Sequence, residues 1–136
     1  MNLKQLLPFR FLVICLAFQT FGCLTMTPKF KFHKDPDLME QEIMRVIPLG
    51  SSISEAKKIM EGNGFKCEYV EKGSFVRERD DPNAPGRVRQ TSYEGIDYLY
   101  CDQSRGFIVS RRWQASIVHE DSKVTVVAVS TALTGP

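Results

Sequence analysis

The side chains able to do chemistry in this 136-residue sequence are four cysteines, two histidines and a scatter of carboxylates. A thiolate beside a proton acceptor is a nucleophile, and Cys67 with His33 or His119 has the right types, but no spacing brings them together. Cys67, Cys101, His33 and His119 are also zinc-ligand types. Structural zinc sites advertise paired ligands a few residues apart, whereas each of these stands alone, so no metal is assigned. The carboxylates open to acid–base work are Glu40, Glu42, Glu55, Glu61, Asp97, Asp102, Glu120 and Asp121, and all but Asp97 fall on predicted helix surfaces or in turns. That is the pattern of a solvated face. With no nucleophile elbow, phosphate loop or dinucleotide fingerprint in the chain, neither catalytic residues nor a cofactor is assigned.

The cysteines sort by position. Lys4 and Arg10 precede an apolar run from Phe11 to Phe18 that breaks at Gln19, which is the charged, apolar, small-residue order of a secretory signal. A membrane span needs roughly 20 apolar residues, so export is favoured over a permanent helix. The Gly22-Cys23 pair directly after the run resembles a bacterial lipobox, which implies a signal at 1–22, a thioether-linked diacylglycerol on Cys23 and an acylated, palmitate-bearing terminus. Cleavage elsewhere and an uncleaved anchor are the alternatives. Cys15 leaves with the signal, so Cys67 and Cys101 are the pair left in the folded part, and in an oxidising compartment a disulfide is the default. A structural free thiol and a catalytic one are the competing readings. Closing a loop of about 35 residues would contribute roughly 3–4 kcal/mol in the chain-entropy picture.

Removing residues 1–22 takes Lys4 and Arg10 from the 18 basic side chains and none from the 16 acidic ones, leaving 16 against 16. Nucleic-acid binding goes with a basic excess on one face, so that partner class is disfavoured. The remaining 114 or so residues suffice for one hydrophobic core and not for two domains.

The elements that must position these groups follow from periodicity. Residues 23–35 read as lipid attachment and tether, with Phe30 and Phe32 spaced as in a short edge strand. Residues 36–136 then form one domain. Asp35 as N-cap and Pro36 at the first helical position open a short helix whose stripe is Met39, Ile43, Val46 and Ile47, and Pro48 closes it. Ser52 and Glu55 form a capping box for a second helix over about 53–61, with Ile53, Ala56, Ile59 and Met60 on its apolar side and Gly64 as left-handed stop. From Phe65 the period becomes two, predicting a strand through Cys67 and Tyr69. Residues 71–95, with Arg77, Glu78, Arg79, Asp80, Asp81, Pro82, Pro85 and Gly86, read as an exposed, mobile loop. Strands over 96–101 and 107–119 flank a turn at 102–106, and a β-branched strand follows at 124–129. The expected fold is α+β and two-layered, with two N-terminal helices on one face of a three- to four-stranded antiparallel meander.

Within the third strand, Arg111, Arg112 and Trp113 admit two readings. Either Trp113 lies in the core with Arg111 reaching the rim by its packed stem, or Arg and aromatic side chains anchor a partner on a candidate interaction surface.

Taken together, the lipobox-like Cys23, the run Ile47-Pro48-Leu49-Gly50-Ser51-Ser52 leading into a helix, and a meander after it resemble the small outer-membrane assembly lipoproteins of the BamE (SmpA/OmlA) type. The resemblance covers residues 36–70 and the order of elements, and it implies a helix–helix–sheet layout. The function expected is that of a non-enzymatic lipoprotein of the cell envelope, held to the membrane by its lipid on the periplasmic or outer-membrane side and presenting its domain to envelope proteins. An exported enzyme or small-ligand-binding protein is the alternative.

Overall fold

In a computed structural model of the chain, residues 26–135 are described; the expected signal segment and Cys23 lie outside them. The fold is α+β: helices α1 (Pro36–Val46) and α2 (Ile53–Gly62) precede strands β1 (Lys66–Asp80), β2 (Val88–Gly106), β3 (Ser110–Glu120) and β4 (Lys123–Thr134). The strands form one antiparallel meander in the order β1-β2-β3-β4.

Both helices begin and end for local reasons. The Asp35 carboxylate accepts the Leu38 N–H at 3.0 Å, satisfying one orphan donor of α1. At the end of α2, Phe65 N–H donates to Met60 C=O and Gly64 N–H to Glu61 C=O, the paired bonds of a Schellman motif, with Gly64 at φ +91°. The expected capping box does not form. Ser52 is the N-cap residue, but its hydroxyl meets Ser54 Oγ at 2.8 Å, and the loop instead bridges to the start of β4, where Val124 N–H donates to Ser51 C=O and Gly50 N–H to Val124 C=O.

Met39, Ile43, Ile47, Ile53, Ala56 and Met60 from the helices share one buried cluster with Phe65, Leu99, Cys101, Trp113, Ala115, Ile117, Val127 and Val129. Phe30 belongs to it too, so the tether is part of the domain's packing. Asn63, itself buried, holds that segment by accepting the Phe30 N–H at 2.8 Å and donating to Pro28 C=O at 2.9 Å. Cys67 and Cys101 face each other on β1 and β2 with Cα atoms 4.1 Å apart and are joined as a disulfide.

Two expectations are corrected. Residues 71–95 are the arms of a long hairpin, and its turn spans only the residues between Asp80 and Val88. Charges that alternate along a strand resemble a charged loop when counted without their partners: here Glu78 faces Gln90 and hydrogen-bonds it at 2.6 Å, and Phe75 stacks on Tyr93 at 4.7 Å. Likewise β2 runs through Asp102, Gln103, Ser104 and Arg105 to Gly106, so the expected turn is strand and the reversal falls at residues 107–109. Polar residues serve there because Asp102 pairs across to Arg112.

Two register shifts around Gly73 bend β1. A Cβ at Gly73 would lie 2.8 Å from the Tyr98 ring, so glycine permits the close approach. The bend brings Phe75 edge-on to Tyr98, and the outer half of β1 returns towards β4, where Arg79 donates to Val129 C=O at 2.8 Å.

Candidate interaction surface

Alternation along β3 separates the three residues marked in the sequence. Trp113 lies on the face of Ala115 and Ile117, 6% exposed, with its ring 5.1 Å from Phe32 and its Nε1–H donating to His33 C=O at 2.7 Å. Its indole therefore fastens the tether to the sheet. Arg112 points to the opposite face and grips both carboxylate oxygens of Asp102 at 2.8 and 2.9 Å, a bidentate bond that raises the guanidinium pKa. Arg111 is half-buried and stands directly across from Arg105 on β2 and Leu133 on β4.

Next to that pair is the feature the sequence reading placed inside a strand. Phe107 at the hairpin tip is fully exposed, Ile108 73% and Val109 56% exposed, and Leu133 on the neighbouring strand is 65% exposed. Gly106 at φ +135° makes the sharp reversal possible, since a Cβ there would lie 2.2 Å from Val109 O. Ser110 Oγ and Thr134 Oγ1, 2.7 Å apart, fasten the base of the tip to β4. Arg105 lies over the Phe32 ring at 3.7 Å, a cation–π contact with the tether. The signal was readable: three consecutive large apolar residues after a glycine do not continue an alternation.

On the side of α1, Glu40 corrects a further expectation, that the helix carboxylates are all solvated. Its carboxylate is buried, accepting from Arg77 Nε at 3.0 Å and Nη2 at 2.7 Å, from Arg79 Nη2, and from the Val129 N–H at 2.9 Å. Arg79 also pairs with Asp37. Glu40 and Arg79 together occupy the N–H and C=O of Val129 on the outer edge of β4, as a neighbouring strand would. The Glu40 hydrogen bonds raise the Arg77 pKa. Beside this cluster lies a half-open cleft of about 170 Å³, lined by Phe75, Arg77, Tyr100, Gln114, Ser116 and Ser130, in which Gln114 donates to Tyr100 Oη at 2.5 Å.

Of the remaining chemistry-bearing residues, Asp97, His119, Glu120 and Asp121 line one open cleft of about 650 Å³ with Lys72. The disulfide consumes both thiols that could have served as nucleophile or ligand. His119 stacks edge-on against Tyr69 at 6.2 Å, and His33 meets Trp113 through its backbone. Among the described residues no three His, Cys, Asp or Glu side chains gather as a metal site. No helix among them is long and apolar enough to cross a membrane. Comparison with protein-family models, with curated proteins and with solved structures yields no match.

Proposed function

We propose that the chain is an exported, non-enzymatic lipoprotein of the cell envelope, anchored through acylated Cys23, whose α+β domain serves contacts with envelope proteins or the membrane. In this reading both helices pack on one face of the meander and the segment after Cys23 is fixed to that layer, in keeping with the resemblance to BamE-type lipoproteins. The observation that carries the reading is the exposed apolar tip of Phe107, Ile108 and Val109, because a cluster of exposed large apolar side chains marks a contact site. Export is supported by the Cys67–Cys101 disulfide, a bond that persists in oxidising compartments.

The rival reading, a small-ligand site, rests on the cleft at Tyr100 and Gln114. Ligand pockets usually enclose about 300–1,000 Å³ behind a mostly apolar lining; this cleft measures about 170 Å³ and its Arg77 is already engaged by Glu40, while the open cleft of about 650 Å³ beside Asp97 and His119 has the size but is lined mainly by charged and polar residues. Labelling cells with a clickable palmitate analogue tests the proposal. Label on the wild-type chain that disappears in Cys23→Ser supports it; an unlabelled wild-type chain with a free, cleaved N-terminus contradicts it.

A further inference from the structure

We infer that the β2–β3 tip is a membrane-insertion element, with Phe107, Ile108 and Val109 in the acyl layer of a bilayer and Arg105 and Arg111, level with Leu133, among its phosphates. The orientation of the tip towards the bilayer rests on acylated Cys23; its composition and charge do not.

Composition is the first ground. A turn that only reverses the chain uses Gly, Asn, Asp or Ser, which supply the backbone geometry. This one carries three large apolar side chains in succession, all exposed, with Leu133 adding a fourth on the next strand. Only residues 107–109 lie beyond the last paired residues, Gly106 and Ser110, so the tip offers a rigid protein surface little area to cover.

Charge is the second ground. Arg105 and Arg111 face each other as a cross-strand pair immediately behind Gly106 and Ser110. Like charges directly opposite destabilise a sheet, and an anion between them reverses the sign. Cations ringing an apolar wedge are the arrangement that places side chains at headgroup level and below.

Chain geometry is the third. The described chain begins at Met26, Asn63 holds Pro28, and Gly64, one residue on, lies against Gln103 on β2, its Cβ position 2.9 Å from that amide. Gln103 is three residues before Gly106, and Phe32 touches both Arg105 and Trp113. The chain therefore joins the domain at the end that carries the tip. Two residues separate Cys23 from Met26, three Cα steps with a reach of about 11 Å at full extension, so an acyl chain on Cys23 holds this end, and not the far end at residues 121–122, towards the bilayer.

The test places a reporter in the tip of the full chain. A Phe107→Trp variant is reconstituted into zwitterionic vesicles and into vesicles doped with an anionic phospholipid, each with bromine on the acyl chains, and its emission is compared with that of the wild type, whose only Trp is enclosed Trp113. The expected result is bromine quenching and a blue shift of the added indole, stronger in anionic vesicles and weakened at least about twofold there by Arg105→Gln with Arg111→Gln. An added indole quenched by aqueous iodide and untouched by bromolipid overturns the inference, as does a photo-crosslinker at residue 108 that captures a protein in cells in place of lipid. The N-terminal mass of the same preparation separates the two readings. Acylated Cys23 with a water-exposed tip sinks the insertion alone, and a quenched tip on an unacylated chain sinks the anchor alone.

Discussion

Glu40→Ala removes the anion shared by Arg77 and Arg79 and the acceptor of the Val129 N–H. Breaking a buried ion pair by deleting one partner costs about 3–5 kcal/mol, because a desolvated charge is left behind. The Arg79 side chain, 11% exposed, meets that condition, whereas Arg77 at 31% keeps part of its hydration and contributes less. Asp37 still neutralises part of the Arg79 charge, which places the expected loss near the lower bound, about 3 kcal/mol. For a domain of roughly this size that corresponds to a fall in Tm of about 10–15 °C. Urea unfolding of the wild type, Glu40→Ala, Arg79→Ala and the double variant measures it, and the cycle isolates the pair. Glu40→Gln, which keeps an acceptor for Val129 N–H, falls between wild type and Glu40→Ala. A Glu40→Ala variant within about 0.5 kcal/mol of wild type, the range of an ordinary surface change, would refute the reasoning.

Three further outcomes follow from the same structure. Replacing both Cys67 and Cys101 by alanine opens a loop whose ends are 34 residues apart, and should lower stability by about 4 kcal/mol; equal urea midpoints for the variant and the oxidised wild type would remove the disulfide from the account. Gly64→Ala forces a Cβ onto a backbone at φ +91° and should lose about 1–2 kcal/mol, read as a shift in the melting curve that an intact Schellman closure could not escape. Glu42, bound first by the Arg45 guanidinium and also by the Lys31 N–H, has its pKa lowered to about 2, so its stabilisation is complete above about pH 4.5 and disappears as pH falls towards 2. Glu42→Gln should therefore be less stable than wild type at pH 7 and equal to it near pH 2; a difference independent of pH would show that the carboxylate charge is not responsible.

What could be read from the sequence was whatever rests on neighbouring residues. Asp35 caps α1 three residues downstream, Gly64 closes α2 within one turn, and the alternation through Cys67 placed that thiol where a partner strand could meet it. What escaped depends on residues far apart. Glu40 is a helix carboxylate among others until the bend at Gly73 brings Arg77 and Arg79 across to it from nearly 40 positions away. In sequence those arginines read as loop because an Arg-Glu-Arg alternation carries no apolar face of its own, its inner side being made of salt bridges. Asp102 and Arg105 read as a turn because neither adds to an apolar face: Asp102 finds its partner in Arg112 on β3, and the strand continues through Arg105 despite the like charge of Arg111 opposite. Phe107, Ile108 and Val109, two to four positions before Arg111, carry the exposed apolar side chains, and an alternation counted from Phe107 conceals them.

The central claim is an exported chain anchored at Cys23, and the N-terminal peptide of the protein recovered from the membrane fraction tests it most directly. Mass spectrometry should find that peptide beginning at Cys23 and carrying the mass of a diacylglyceryl group with attached acyl chains. A peptide beginning at Met1, or at any residue beyond Cys23 with no lipid mass, would contradict the account.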